Sequence, residues 1–291
     1  MPELPEVETV KRGLLKLIVG RKIVAVKSDN PKSFPNSSND IAAFLIDSKI
    51  IDVRRRAKVL MIDLSTNYTL VIHLKMTGQL VFVDSTSRFG AGHPNDSLVG
   101  NLPDKSTRVI ITFSDESHLF FNDQRKFGWV RLIPTAEVPN LPFMLKVGPE
   151  PLEPDFTAKQ FIARFKKRPR TSIKAAILDQ SVIAGVGNIY ADESLWGAKI
   201  HPARKVESVT DAELTELYSQ VRYVMNLSIE KGGSTNRNYV NAEGKKGSYM
   251  DFARVFRREG LECPRCGTEI IKLRVAGRGT HICPSCQKIK K

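Results

Sequence analysis

The sequence predicts an α+β chain of several domains: an N-terminal helix, a strand-rich half, a helical half and a hairpin held by cysteines. Three observations predict it. Leu4, Val7, Val10, Leu14 and Leu17 or Ile18 recur at three- and four-residue intervals, which is one apolar face of a helix stopped at Gly20. From about Lys22 to Pro134 the pattern changes to short runs rich in Val, Ile and Phe, the signature of a sandwich or barrel. Beyond Pro154 the periodicity turns helical, and two C-x-x-C pairs close the chain. At 291 residues there is room for two domains with cores of their own.

The expected strands are Ile50–Val53, Val59–Leu64, Thr69–Leu74, Leu80–Val83, Arg108–Phe113, His118–Phe121 and Trp129–Ile133. Turn residues separate them, as in Ser65-Thr66-Asn67, Thr77-Gly78 and Ser114-Asp115. Asp84 to Ser106 is dense in Ser, Gly, Asn, Asp and Pro; a loop of that length is either functional or mobile. Residues 135–154 read as an interdomain linker, since Pro134 to Pro154 carries six prolines. The expected helices are Thr157–Lys167, Ser172–Asp179, Asn188–Trp196 and Thr210–Ile229, the last opened by a capping box from Thr210 to Glu213. Gly232 to Tyr249 is polar and glycine-containing, and reads as a flexible loop.

The formal net charge is +14, which favours a polyanion as partner. Nucleic acid is the stronger option. No apolar run approaches the roughly 18–20 residues of a membrane span, and Val7 to Ile18 is broken by Glu8, Lys11, Arg12 and Lys16, unlike a signal sequence. A soluble, cytoplasmic protein with no membrane partner is expected. The four cysteines all lie in the C-terminal tail, whereas a disulfide scaffold spreads them along the chain.

Cys263-Pro-Arg-Cys266 and Cys283-Pro-Ser-Cys286 are two knuckles about sixteen residues apart. Four thiolates at this spacing give one zinc ion a closed tetrahedral shell, so the metal is expected to be structural. It would hold a hairpin of Ile270–Val275 and Thr280–Ile282, with Arg278 between two glycines at the tip. Arginine there suits bidentate phosphate contact; simple solvation is the alternative. Ala184-Gly185-Val186-Gly187-Asn188 leads into a helix, where exposed N–H groups can meet a phosphate.

The chain begins Met1-Pro2-Glu3-Leu4-Pro5-Glu6. Proline at position two is small enough for the initiator methionine to be removed, which would leave a secondary amine at Pro2. Such an amine condenses with a sugar aldehyde to an iminium ion that has no N–H proton to lose, so it stays charged and electrophilic. Glu3 and Glu6 are candidate proton carriers. The plainer alternative is a helix-starting proline with acidic first-turn residues.

Several blocks together carry a resemblance. They are Pro2-Glu3-Leu4-Pro5-Glu6-Val7-Glu8-Thr9, Arg54-Arg55-Arg56-Ala57-Lys58, His73-Leu74-Lys75-Met76-Thr77-Gly78 and Asp123-Gln-Arg125-Lys-Phe127-Gly128. Gly148-Pro-Glu-Pro-Leu152, Gly185-Val-Gly-Asn-Ile-Tyr-Ala191 and the cysteine tail complete them, in order and over nearly the whole chain. The chain resembles bacterial formamidopyrimidine-DNA glycosylase, also called 8-oxoguanine DNA glycosylase/AP lyase. The resemblance implies an N-terminal helix on a two-layered β-sandwich (residues 1–134, catalytic), a linker (135–154), a helix–two-turns–helix DNA-binding domain (155–232), and a lesion-capping loop with a four-cysteine zinc finger hairpin (233–291).

It also implies a monomeric enzyme of base excision repair that binds damaged duplex DNA and flips the oxidised purine into a pocket. Pro2 would attack the deoxyribose C1′, and Glu3 would carry the proton that opens the sugar. Glu6 would support that end of the site. Lys58 matches the position assigned to proton transfer in β-elimination, and Arg278 that linked to δ-elimination and the lesion phosphate. Met76, Arg125 and Phe127 correspond to the wedge that fills the hole left by the flipped base. Asn188, Arg125 and Arg170 would hold phosphates or the orphaned base. Read alone, Lys58 fits an outward solubilising residue, and Met76 and Phe127 fit a core.

One departure is Ser106, after Lys105, where many relatives carry a histidine near the DNA; Arg108 is the candidate substitute for that phosphate contact. Two rivals remain. An endonuclease VIII-like enzyme for oxidised pyrimidines shares this fold, but its N-terminus typically reads Pro-Glu-Gly-Pro rather than Pro-Glu-Leu-Pro. A non-catalytic DNA-binding protein would predict damage at Pro2, Glu3 or Lys58, and all three are present.

Overall fold

The computed structural model describes residues 2–93, 95–234 and 249–289. The chain forms two compact units, Met1–Leu145 with Ile229–Tyr249, and Lys146–Ser228 with Met250–Lys291.

In the first unit, α1 (Leu4–Ile18) buries Leu4, Val7, Val10, Leu14 and Ile18, the face its spacing marks. Nine strands follow: β1 (Ile23–Ser28), β2 (Ile50–Arg56), β3 (Val59–Leu64), β4 (Tyr68–His73), β5 (Gly78–Val83), β6 (Arg88–Gly92), β7 (Thr107–Phe113), β8 (His118–Asp123) and β9 (Trp129–Pro134). A short helix, α2 (Ser38–Asp40), runs into a π turn between β1 and β2. The strands build two antiparallel sheets, ordered β1-β7-β8-β5-β6 and β2-β3-β4-β9. Leu60, Ile62, Leu70 and Ile72 of one sheet and Phe82, Val109, Leu119 and Phe121 of the other fill a common core. Alternate residues Val59, Met61 and Val71 face the opposite way, as the two-residue period requires.

Helix α1 packs on β2 and β6, an edge strand of each sheet, and so covers two exposed ladders at once. Gly13 makes the close approach possible: a Cβ there would lie 2.0 Å from the Phe89 ring of β6.

Two expectations need correction here. Asp84–Ser106 is neither structureless nor loose among its described residues. It contains β6 and a 3-10 turn, Asp96–Leu98. The Arg88 guanidinium gathers it by donating to the carbonyls of Leu98 (2.9 Å), Ser97 (3.1 Å) and Gly100 (2.7 Å). The first part of residues 135–154 is packed structure rather than linker. Thr135–Asn140 is a 3-10 turn and α3 (Pro142–Lys146) follows, and buried Val138 packs on Met61 and Val71. Prolines at a helix start or in a 3-10 turn need not break the chain.

The second unit holds α4 (Ala158–Lys166), α5 (Ile173–Leu178), α6 (Asn188–Gly197) and most of α7 (Asp211–Glu230). Phe161, Phe165, Ile177, Tyr190, Leu195 and Leu217 are buried there. The hairpin is β10 (Ile271–Val275) with β11 (Arg278–Ile282). Ala276 (φ +50°) and Gly277 (φ +72°) form its two-residue turn, the left-handed pair a tight hairpin demands. Arg278 therefore opens β11, paired with Val275, rather than sitting at the tip itself.

Candidate active site and metal centre

Pro2, Glu3 and Glu6 are all buried at the N-terminal end of α1. Glu3 is the N-cap residue, in extended conformation, and its backbone N–H donates to Glu6 Oε2 at 2.8 Å. The other carboxylate oxygen of Glu6 accepts the Ser234 backbone N–H at 2.9 Å. Tyr249, fully buried, donates its N–H to the Gly233 carbonyl at 3.2 Å, so Tyr249 and Ser234 both lie near Glu6. The loop expected over 232–249 lies, for 235–248, outside the described residues.

Lys58 follows Ala57 in the two-residue connection of β2 and β3 and is only 7% exposed, not an outward solubilising residue. His73, at the end of β4, pairs across with Val59. Its Nδ1 accepts the Lys75 backbone N–H at 3.0 Å, which places the proton on Nε2. Burial first, and then the ammonium groups of Lys75 and Lys58, push its pKa down to about 3. The neutral imidazole beside Lys58 belongs to this site, although sequence reasoning did not single it out. The signal lies in the block His73–Gly78, which in the sequence carries only a likeness.

Met76 is 37% and Phe127 54% exposed, so neither is core. Both stand on turns organised by one buried carboxylate, Asp123. It accepts the Thr77 hydroxyl, the Arg125 N–H at 3.2 Å and the Gly128 N–H at 2.6 Å. Gly128 is required there, because a Cβ would meet the Phe121 ring at 2.7 Å and the His73 carbonyl at 3.0 Å. The exposed Arg125 guanidinium lies 4.8 Å from the Phe127 ring centroid, which holds two exposed side chains together.

Arg108 does not stand in for the missing histidine. Its guanidinium is buried and committed to Asp29 (2.6 Å), to the Asp123 carbonyl (3.0 Å) and to the Lys105 carbonyl. Ser106 is likewise buried and donates to Asp104 at 2.6 Å.

In the second unit, Asn188 opens α6 after Gly187. Its amide donates to the Gly279 carbonyl at 3.0 Å, so it holds the residue beside Arg278. Lys174 and Asp192, both fully buried, form an ion pair at 2.6 Å. Lys174 also donates to Thr280 at 2.6 Å, and Asp192 accepts the His281 N–H at 2.9 Å, which pins β11 to α5 and α6. Arg278 and Arg170 are exposed.

Cys263, Cys266, Cys283 and Cys286 bring their sulfurs within 4.8 Å of one another. Their contacts are 4.0 Å (Cys263–Cys286) and 3.5 Å (Cys266–Cys283 and Cys266–Cys286). Four sulfurs at about 2.3 Å from a central zinc would stand ~3.8 Å apart, so the residues fit the ion. Four thiolates leave no open position, and the zinc is structural. The Thr268 hydroxyl and backbone N–H lower the Cys266 thiol to about 6, which favours the ligating thiolate.

The fold and the centre define a class of protein in which a helix-capped sandwich, a helical domain with a glycine turn and a four-cysteine zinc finger occur in one chain. The comparisons name it. Residues 1–130 match the Formamidopyrimidine-DNA glycosylase N-terminal domain, residues 147–240 the Formamidopyrimidine-DNA glycosylase H2TH domain, and residues 260–289 the zinc finger found in FPG and IleRS. The chain belongs to the formamidopyrimidine-DNA glycosylase family. It is 41% identical over 291 residues to the formamidopyrimidine-DNA glycosylase of Pelotomaculum thermopropionicum, covering 100% of both chains. Over 289 residues it is 43% identical to that of Herpetosiphon aurantiacus, covering 99% of this chain and 100% of the relative. Among solved structures, it matches Lactococcus lactis Fpg in complex with DNA containing an abasic site (36% identity, TM-score 0.85, covering 99% and 100%). It also matches a mutant of that protein in complex with DNA containing Fapy-dG (36% identity, TM-score 0.86, covering 99% and 100%). No helix among the described residues is long and apolar enough to cross a membrane.

Proposed function

We propose that the chain is a monomeric, cytoplasmic glycosylase and AP lyase that removes oxidised purines from duplex DNA. The observation that carries this reading is the joint burial of Pro2, Glu3 and Glu6 at the positive end of α1. Two carboxylates are expensive to bury unless they are partnered or put to use, and with Met1 removed the Pro2 secondary amine would lie beside them. Solved relatives bound to abasic-site and Fapy-dG DNA, and the charge of +14, support damaged DNA as the substrate.

With Met1 removed, the Pro2 nitrogen lone pair attacks C1′ as the bond from C1′ to the base nitrogen breaks, and the proton that the Pro2 nitrogen gives up leaves with the base. Glu3 delivers a proton to the ring oxygen O4′ as the C1′–O4′ bond opens, giving the iminium ion. Lys58, in its neutral amine form at this step, takes a C2′ proton as the C3′–O3′ bond breaks and the 3′ phosphate leaves. Arg278 neutralises the lesion phosphate and serves the second elimination, so that the product is a gap with a phosphate at each end. Met76, Arg125 and Phe127 fill the vacated stack. Asn188 and Arg170 serve the backbone.

The test is borohydride trapping of protein with a sequenced N-terminus on an 8-oxoguanine:cytosine duplex. An adduct mapping to Pro2 is expected. Pro2→Gly should severely weaken base release and cleavage with binding largely intact, and Glu3→Gln should slow formation of the iminium, read as borohydride capture, by about 10²–10⁴-fold. Equal loss of binding and cleavage in Pro2→Gly would remove Pro2 from its role. Release from thymine glycol but not from 8-oxoguanine would mark a pyrimidine enzyme instead.

A further inference from the structure

The N-terminal end of α1 and the Lys58 turn belong to different elements, yet one buried side chain touches the supports of both. Arg55, in β2, has a side chain only 9% exposed. Its Nε donates to Glu8 Oε2 at 3.0 Å, and its Nη1 donates to the Ala57 carbonyl at 3.1 Å. Glu8 lies on the second turn of α1, the helix that begins beside Pro2 and Glu3, and is itself 8% exposed. Ala57 immediately precedes Lys58 and has φ +52°, a conformation that favours glycine and needs support in alanine.

We propose that Arg55 is a positioning residue: its guanidinium, anchored on Glu8, fixes the Lys58 turn relative to the helix that carries Pro2. The inference rests on the roles of Pro2 and Lys58 proposed above. The chemistry requires arginine. Two donors of one planar fork reach two acceptors on different elements, so a shift of either element strains the same rigid group. Lysine offers a point charge in place of the fork. Glu8 has other cations: Arg12 at 3.0 Å and Lys11 at 3.4 Å. Their side chains are 60% and 30% exposed and both come from α1 itself, so neither can link it to β2. Glu8 also keeps its charge. Burial raises its pKa, but the hydrogen bonds and charges of Arg55, Arg12 and Lys11 leave it lowered overall.

The experiment uses full-length protein shown to lack Met1. It reads the single-turnover rate of borohydride capture on an 8-oxoguanine:cytosine duplex, and separately the affinity for a duplex carrying a tetrahydrofuran abasic analogue. Arg55→Met should slow capture by about 10²-fold, the effect of an ångström-scale misplacement, with affinity unchanged. Arg55→Lys, which restores a cation beside Glu8 but not the fork, should recover much of the capture rate while strand cleavage stays slow. Unmutated rates of both capture and strand cleavage in Arg55→Met would overturn the inference. So would a proportional loss of capture and affinity, the mark of a merely structural role. If Arg55→Met does not fold, Arg55→Lys decides: unmutated rates of both capture and cleavage would overturn the inference. Failure of the unmutated protein to form any adduct would instead remove the reading of Pro2, and this inference with it.

Discussion

The two units depend on buried charge to different degrees. In the first, a large apolar core between two sheets carries the fold, and buried charge lies around it, where α1 begins, where β2 turns into β3, and at Arg108 and Asp123. In the second, buried charge is part of the frame. Lys174 and Asp192 lie fully buried between helix and hairpin. The Glu193 carboxylate accepts the backbone N–H groups of Arg254, Val255 and Phe256 at 2.9–3.0 Å, which fixes the chain where it enters the zinc finger. The apolar cluster there is small: Trp196, Val255, Cys263, Ile270 and Cys283, and two of its members are metal ligands. A sandwich can lose a surface charge and still fold, whereas a hairpin with so little core depends on its metal and its ion pair.

The largest break in this comparison comes from removing the metal. Structural zinc stabilises small domains by about 10–16 kcal/mol at neutral pH. Chelation, or Cys283→Ser, should unfold the hairpin and abolish duplex binding while the sandwich stays folded. The two tryptophans give separate reporters. The Trp196 indole donates to Cys263 Sγ at 3.4 Å, whereas Trp129 lies in β9. Spectra of single-tryptophan variants (Trp129→Phe and Trp196→Phe) should show Trp196 moving into water and Trp129 unchanged. Simultaneous loss of both signals would show that the units fold as one, and unchanged binding after complete chelation would sink the link from metal to DNA.

A smaller effect is expected at the buried ion pair. Lys174→Met strands the Asp192 carboxylate and should cost about 3–5 kcal/mol in urea unfolding. The double change Lys174→Met with Asp192→Leu should cost less than Lys174→Met alone, because no charge is left stranded. Additive losses would mean that the pair is not coupled.

Much of this organisation was legible in the sequence, for identifiable reasons. The face of α1, strands such as β3 and β8, and the cysteine knuckles follow from period and spacing. Strand β6 did not show itself, because Gly90 and Gly92 dilute its pattern, although Phe89 is what Gly13 packs against. Strand β1 buries only Ile23 fully, so it has no alternation to read. In the site, the types at Pro2, Glu3 and Lys58 suggested chemistry, but burial decided between chemistry and solvation. Met76 and Phe127 look like core by type. Their exposure depends on Asp123, 47 residues from Met76 in one case and four from Phe127 in the other, whose carboxylate pins both turns. Arg108 looked available for a phosphate until Asp29 and two carbonyls claimed it. Such pairings are set by tertiary contact, which residue type and spacing do not specify.

The smallest effect sharpens the comparison through pH. His73 in the sandwich is held neutral, with a folded pKa of about 3 against 6.5 for an ordinary histidine. Burial is the larger cause, followed by Lys75 and Lys58. Its folded value is depressed, so the unfolded chain binds the proton first as pH falls. Stability from this group is complete above pH 6.5 and is lost progressively as pH falls toward about 3. Asparagine at 73 can still accept the Lys75 N–H but does not titrate, so His73→Asn should flatten the stability curve between those limits. The readout is the urea midpoint followed by Trp129, at pH 7 and pH 5, with metal-bound protein. The steeper fall in the unmutated protein should come from the sandwich signal and not from Trp196. A slope identical in the two proteins would show that His73 is already charged when folded, and the neutral imidazole beside Lys58 would have to be abandoned.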